Sequence, residues 1–414
     1  MALFIVLAYI AAFFGIFSSS IYLLTFYENK EKISSPVAKK LLKSSIIVPA
    51  FNEEGRIKRT VESILNLNYP KELLEIILVD DGSTDNTLNE MMNFASGNIR
   101  VLHKKNGGKA SALNLGMKKS SGEIIVSLDA DSFVDKDALI RMMGHFENEK
   151  CMAVTPSMKI WDPKTILQKI QYVEFMFGIF LRKMSAFLGC INVTPGPFSA
   201  YRKSFFQKYG GYDEDNLTED IEIALRIQAN NFVIENSPDA YSYTLGPSRF
   251  RQLFKQRIRW YIGFINNAWK YRKMFSRKYG TLGIFFLPSA FIVVAFNILL
   301  IGYYLGKIIN SAYEGIIKLI SINFDFVRML SFKFDFFYLP SNMMMIAMIM
   351  SVAVTITAIY IARKISKDNG KIVVPFLLSI LFYAPLFAMW WFTSFLYKIR
   401  RKTLKWNGVS WKKD

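Results

Sequence analysis

The sequence predicts an α/β domain built on a largely parallel sheet and joined to membrane-crossing helices. Three observations carry this. Between Ser44 and about Thr155, short β-branched runs alternate with helical stretches, the pattern of βαβ units. Four uncharged apolar runs (2–27, 281–306, 336–362 and 372–397) each exceed the roughly 20 residues that cross a bilayer. Between Glu28 and Gly280 lies a polar stretch long enough to bury a core of its own. In a chain of 414 residues that is 52% hydrophobic and 15% aromatic, these features argue against a wholly soluble protein.

The first run, 1–27, lacks a basic start and is followed by lysines where a cleavage site would need small residues, so it reads as an uncleaved anchor. The linker 28–43 follows, with five lysines, two glutamates and the loose stretch Ser34-Ser35-Pro36. Positive charge beside a span places the linker, and the domain it leads into, on the cytoplasmic side of a multi-pass cell-membrane protein. The domain is expected over 44–246. Its first strands are Ser45–Pro49, Glu75–Val79, Ile99–His103 and Glu123–Leu128, and its first helices are Gly55–Leu67, Thr87–Ala95 and Lys109–Lys119. Such strands, continuously apolar, are those of a sheet buried on both faces, where ligands collect beyond the carboxyl ends.

Residues 164–188 are apolar with a sparse charged face. The segment 247–280 is different: its residues 247–278 hold ten basic and no acidic residues, interleaved with aromatics. Both are expected to be interfacial helices with the apolar side among lipid headgroups. The second carries about half of the net charge of +19. Because it abuts a span, the basic excess reads as membrane surface and phosphate handling, and nucleic-acid binding is set aside. The remainder, 281–414, is a region of about three apolar segments with a basic tail. Its charges conflict. Arg363–Lys371 and Lys398–Lys413 both belong on the cytoplasmic side, yet 372–397 between them looks like one span. Either that run, broken by Pro375 and Pro385, is re-entrant, or Ile308–Phe334 lies along the interface and the tail breaks the charge rule.

The residues that could carry chemistry follow strand ends and helix starts. Asp80-Asp81-Gly82-Ser83 ends the second strand, where a carboxylate can meet a base or ribose hydroxyl, although the same residues make ordinary turns and caps. Gly107-Gly108-Lys109 opens a helix and lets the backbone approach an anion, without the spacing of a P-loop. Asp129-Ala130-Asp131 at the fourth strand's exit could hold a hard divalent cation on a diphosphate, or be a solvated turn. Thr218-Glu219-Asp220 precedes a helix; its acids are capping residues or a general base. Gln256-Arg257-Ile258-Arg259-Trp260 offers arginine forks and an aromatic face, to phosphate or to the membrane surface. Cys151 and Cys190 lack metal-spaced neighbours, and His103 and His145 read as structural.

Taken in order, Pro-Ala-Phe-Asn-Glu-Glu (49–54), Val-Asp-Asp-Gly-Ser (79–83), Gly-Gly-Lys-Ala (107–110), Asp-Ala-Asp (129–131), Thr-Glu-Asp (218–220) and Gln-Arg-x-Arg-Trp (256–260) resemble the membrane-integrated processive glycosyltransferases of family 2. Cellulose, hyaluronan and poly-N-acetylglucosamine synthases belong to that group. The resemblance implies a GT-A (nucleotide-diphospho-sugar transferase) domain and inverting transfer of a sugar, UDP-N-acetylglucosamine or another UDP-hexose, to a growing polysaccharide, with export as a coupled step. By the same resemblance Asn52, Glu53, Asp81 and Lys109 would contact the nucleotide, and Asp131 with Asp129 would bind Mg2+ or Mn2+ on the diphosphate. Asp220, beside Glu219, would be the catalytic base. Gln256 and Arg259 would hold the diphosphate, while Trp260, Gly196, Pro197 and Phe198 would line the acceptor site. Implied partners are the nucleotide-sugar donor, a polysaccharide or lipid acceptor and membrane lipids, with a homo-oligomer left open. A transferase of one sugar to a polyprenyl phosphate or another lipid is the alternative.

Overall fold

The computed structural model describes residues 2–321, 343–400, 404–406 and 409–411. Four parallel strands stand where the sequence put them: β1 (Ser44–Ala50), β2 (Leu74–Asp80), β3 (Ile99–His103) and β4 (Ile124–Ser127). In β1 the alternation sends Ile46 and Val48 to one face of the sheet and Ile47 to the other, and a separate apolar core covers each face. Helices α1 (Ala2–Glu28), α2 (Ile57–Leu65), α3 (Thr87–Met92) and α4 (Lys109–Lys119) complete this half.

The second half turns the sheet mixed. β5 (Ser132–Val134), α5 (Ala138–Met143), β6 (Cys151–Ile160), α6 (Ile166–Phe187), β7 (Ser199–Arg202), α7 (Lys203–Tyr209), α8 (Glu219–Ala229) and β8 (Val233–Thr244) follow in order. The eight strands lie as β3-β2-β1-β4-β7-β6-β8-β5, with β7 antiparallel to both β4 and β6, and β5 antiparallel to β8. The antiparallel β7 runs beside the exit of β4, so it brings the segment before it, Thr194–Phe198, against Asp129.

Two expectations are corrected here. The linker is docked, not loose: Ser35 Oγ lies 2.5 Å from Ser237 Oγ, the Lys39 N–H donates to Glu147 at 2.6 Å, and Gly144 packs so closely on Pro36 and Ala38 that no Cβ fits. The stretch 164–188 is a helix, α6, but its apolar side is covered by protein where lipid headgroups were expected. Tyr172, Met176 and Phe180 pack with Tyr22, Leu23 and Phe26 of α1 and with Ala358–Ala362.

The basic stretch forms α9 (Phe250–Lys270), and a π turn at Leu282–Phe286 leads into α10 (Leu287–Ser321). α11 (Met343–Ser366) and α12 (Val373–Ile399) follow. A re-entrant form of 372–397 is excluded, because α12 is one continuous helix with Pro385 inside it. Of the segment Ile308–Phe334, residues 308–321 continue α10; its remainder, the start of the run 336–362 and much of the basic tail lie outside the described residues. Among the described residues four helices are long and apolar enough to cross a membrane: Val6–Glu28, Leu282–Ser321, Met345–Ser366 and Val373–Ile399. Cys151 and Cys190 are buried free thiols.

Candidate active site

The site forms beyond the carboxyl ends of β1, β2 and β4. After β1 the backbone at Asn52 turns left-handed (φ 56°), a conformation asparagine tolerates. That turn lets the Asn52 side-chain oxygen accept from the Thr84 N–H at 2.8 Å, while its own N–H donates to Ser83 Oγ at 3.0 Å. The loops after β1 and β2 are thereby knitted together. Asp80 is fully buried against His103 Nδ1 at 2.6 Å, which gives that histidine a structural partner. Asp81 points to the glycine loop and accepts from the N–H groups of Gly107 (3.0 Å) and Gly108 (2.7 Å) and from Lys104 Nζ (2.8 Å). The approach requires Gly82, where a Cβ would lie 2.7 Å from the Asn106 nitrogen and φ is +77°.

The same loop aims Lys109, the first residue of α4, into the middle of the site. Its ammonium sits 2.6 Å from Asp129 and 3.0 Å from Glu219. Burial alone would lower its pKa, but the carboxylates of Asp129, Glu219 and Asp220 outweigh burial and hold it above the ordinary lysine value. Gly196 lies directly on this pair: a Cβ there would run into Lys109 Nζ and come within 2.8 Å of both Asp129 oxygens. The neighbouring Phe198 turns inward instead. Its φ is 74°, its N–H donates to the Ser127 carbonyl at 2.7 Å, and its ring is part of the core. The segment around Pro197 therefore meets the site through the Gly196 backbone.

Beside this pair, Glu53, Asp129 and Asp131 lie near enough to repel one another. Burial and then the charge of Asp131 push Glu53 up to about 7, against the pull of Arg56 at 3.0 Å. Asp131 is raised in turn by burial and by Asp129. Such mutual repulsion marks a place for a cation. Among the described residues no three acidic, histidine or cysteine groups converge as a preformed cage. The arrangement suits Mg2+ or Mn2+ held by one or two carboxylates and completed by phosphate oxygens.

Opposite this, the first turn of α8 presents Glu219 and Asp220 with divergent environments. Glu219 is buried, yet its pKa is lowered because Lys109 and Arg259 overcome the cost of burial. Asp220 is half-buried, and burial together with the neighbouring Glu219 charge pushes it up to about 6. Adjacent carboxylates whose titrations are driven apart are candidates for different roles. Glu219 is occupied as the partner of Lys109, whereas Asp220 is poised to take a proton near neutral pH. Its backbone is fixed too, since the Asp220 carbonyl accepts from the Thr194 N–H (3.1 Å) and hydroxyl (3.0 Å).

Helix α9 splits the motif between two tasks. Arg259 faces the site, donating to the Leu217 carbonyl at 3.4 Å, helping to lower Glu219 and offsetting part of the rise at Asp220. Arg257 faces away and is buried, with a two-pronged contact to Glu174 of α6 at 2.8 and 2.7 Å. Its guanidinium stacks 4.3 Å from the Trp260 ring. Gln256 and Trp260 are half-buried. Sequence reasoning missed Asn267, which is fully buried and bonds Asn216 and Thr218, tying α9 to the turn that carries Asp220. Gly263 allows the approach, because a Cβ would lie 2.8 Å from Thr218 Cβ. The signal available was an amide pair, Asn266-Asn267, in an aromatic and basic helix.

Residues 45–210 match the family described as Glycosyl transferase family 2. Over 223 residues the chain is 35% identical to a poly-beta-1,6-N-acetyl-D-glucosamine synthase of Staphylococcus epidermidis, covering 53% of this chain and 54% of that protein. A protein of the same description from Staphylococcus aureus strain MSSA476 is 36% identical over 223 residues, with the same coverage. The chain thus spans about half the length of the curated relatives it matches. A solved mannosyltransferase from Pyrobaculum calidifontis, in complex with GDP-Man and Mn2+, has the same fold at a TM-score of 0.59 and 18% identity, over 87% of this chain and 100% of that one.

Proposed function

We propose, from the premise that residues 45–210 belong to a glycosyl transferase family 2 domain of GT-A fold, that the chain is an inverting membrane polysaccharide synthase. It elongates a glycan from a nucleotide-diphosphate sugar. The observation that carries this reading is the separation of roles around Lys109: crowded donor-side carboxylates at Asp129 and Asp131, and an Asp220 raised by burial and by the charge of Glu219 on the other side.

The reaction is one displacement. Asp220 takes the proton of the acceptor hydroxyl, the hydroxyl oxygen bonds to the anomeric carbon, and the bond from that carbon to the diphosphate breaks with the electron pair leaving on phosphate. Lys109, Arg259 and Gln256 supply positive and polar groups for the departing diphosphate. Asp131 and Asp129 would hold Mg2+ or Mn2+, which when bound would supply Lewis-acid stabilisation of the same charge. Asn52, Glu53 and Asp81 frame the nucleotide, and Trp260 and the Gly196-Pro197-Phe198 turn frame the acceptor. The names of the staphylococcal relatives support UDP-N-acetylglucosamine as donor and a poly-N-acetylglucosamine as product. The domain faces the cytoplasm, where nucleotide sugars are made, and α1 and α11 pack on α6 beside it, which supports a catalytic domain held at the membrane.

Membranes carrying the protein, given radiolabelled nucleotide sugars in turn, are expected to convert UDP-N-acetylglucosamine into a ladder of lengthening products. A single lipid-linked sugar instead would establish the one-sugar alternative. Chelation with EDTA is expected to stop incorporation and added Mn2+ or Mg2+ to restore it; undiminished turnover in EDTA would remove the metal from the mechanism. Gly196→Ala is expected to cut turnover by about tenfold or more, since the methyl must displace the Lys109–Asp129 pair and about 1.4 kcal/mol of lost transition-state stabilisation is already tenfold. Wild-type rates in that variant, by the same incorporation assay, would refute the close approach.

A further inference from the structure

The search of the molecule outside the site leads to α12. By length and composition it is a membrane span. Its contacts say otherwise, for both of its ends rest on the catalytic side of the protein. Just before it, Lys159 Nζ donates to the Ser366 carbonyl at 2.7 Å and the Tyr172 hydroxyl donates to Asp368 at 2.5 Å. Its first residues then pack on Tyr172 and Met176 of α6. Midway, the Tyr383 hydroxyl donates to Glu174 at 3.3 Å and Trp391 stacks on Tyr261 of α9 at 4.5 Å. At its far end Tyr397 packs with Leu217, Ile258 and Ile262, and Lys398 Nζ donates to Asn266. Its partners on α9 span Arg257, Tyr261 and Asn266, so the second half of α12 lies along that helix.

A helix of 27 residues is about 40 Å long. Were it to cross, its two ends would stand on opposite sides of a hydrocarbon core roughly 30 Å thick. Instead one end is pinned to the tip of β6 and the other to Leu217, three residues from Asp220, which a water-borne nucleotide sugar must reach. Nor does α12 fold back along α11, the helix before it; it leaves α11 to follow α6 and α9. The flanking charges agree. Arg363, Lys364, Lys367 and Lys371 precede it, and Lys398, Arg400, Arg401 and Lys402 follow it, so both ends suit one anionic surface.

We infer that α12 does not cross the bilayer but lies in the plane of the leaflet that faces the catalytic domain, clamped between that domain and lipid. Its face away from α6 and α9, with Leu377, Ile380, Leu381 and Phe392 exposed, is occupied by the headgroup and upper acyl region of that leaflet. α1, α10 and α11 are the crossings. Each has an end on the catalytic side: Tyr22 to Phe26 on α6, Leu282 and Leu287 against Cys190 and Ile221, and Ala358 to Ala362 on α6. The carboxyl terminus then lies on the same side as the catalytic domain, and both basic clusters obey the charge rule that a spanning α12 would break.

The inference rests on the membrane reading of the protein and is independent of the transfer chemistry. Single cysteines at Asn369, Arg400 and Ser321 in the full chain are labelled with a membrane-impermeant maleimide, in intact cells and in inverted vesicles. The native Cys151 and Cys190 are buried and stay silent. Expected is labelling of Asn369→Cys and Arg400→Cys in inverted vesicles with loss of labelling in intact cells, and the opposite pattern for Ser321→Cys. Labelling of Asn369→Cys and Arg400→Cys from opposite sides overturns the in-plane helix while leaving the membrane reading intact. Failure of Ser321→Cys to show sidedness in a protein recovered from the soluble fraction overturns the membrane reading itself. A nitroxide placed by Leu381→Cys and Phe392→Cys provides a second measurement: equal, shallow immersion depths support the inference, a depth at the bilayer centre for either refutes it, and loss of lipid contact upon self-association would assign the face to a second copy.

Discussion

Asp220→Asn is expected to lower sugar transfer by roughly 10²–10⁴-fold, the usual contribution of a positioned general base, while UDP binding is retained. The asparagine fills the same space at the start of α8 and keeps the oxygen that accepts from the Ile221 N–H at 2.9 Å, so only the proton acceptor is removed. The pH profile gives an independent readout. Burial and the charge of Glu219 raise Asp220 to about 6, and a base works only when ionised. The wild-type rate should therefore climb with pH through an acid limb near 6 and level off above it. Removing the charge in Glu219→Gln takes away the second cause of that shift, so the limb should move to lower pH. Titrating UDP onto both variants by calorimetry separates the roles: loss of nucleotide affinity in Asp220→Asn would falsify its assignment as the base.

Arg257→Met is expected to destabilise the protein by about 3 kcal/mol, toward the low end for breaking a buried ion pair because Glu174 remains partly exposed. Methionine preserves volume on α9 but leaves the Glu174 carboxylate without its two-pronged donor, with the Tyr383 hydroxyl as a remaining partner. The thermal midpoint of the detergent-solubilised protein would report this as a drop of several degrees. The double variant Arg257→Met with Glu174→Leu should recover most of it, since an apolar pair of similar volume carries no stranded charge. An unchanged midpoint in the single variant, or no recovery in the double, would mean that the joint between α6, α9 and α12 is held by packing alone. The experiment also separates the two arginines of the motif, because Arg259 faces Glu219 and Asp220 while Arg257 holds helices together.

Much of the first half of the fold was legible because its signals are local. Strands such as Ile76–Val79 are apolar on both faces, and Gly107-Gly108 marks the start of α4 at Lys109. The second half was not. β8 reads Val-Ile-Glu-Asn-Ser-Pro-Asp-Ala-Tyr-Ser-Tyr-Thr, with a proline and three polar residues in its first half, and its irregular register against β6 accommodates them. Polar residues there are satisfied by tertiary partners that no window of sequence displays: Asn236 bonds the Thr155 carbonyl at 3.0 Å and Lys183 bonds the Asn236 carbonyl at 3.1 Å. The motif positions were legible one by one, but their division of labour was not. That Glu219 is bound to Lys109, or that Asn267 anchors the turn before Asp220, depends on α4, α8 and α9 meeting from distant parts of the chain. For α12, composition pointed to a span and only the flanking charges objected; its packing on α6 and α9 is tertiary and no window of sequence displays it.

The single ammonium of Lys109 is shared between Asp129 and Glu219, and this makes the two halves of the cleft one thermodynamic system. A cation held at Asp129 would relieve that carboxylate of its need for the lysine, whose charge would then settle on Glu219 and alter the field at Asp220. By linkage, an acceptor that prefers the altered field must tighten the hold on donor and metal by the same factor. The two halves of the cleft would thus be coupled through one side chain, each strengthening or weakening the other by the same factor whichever is filled first.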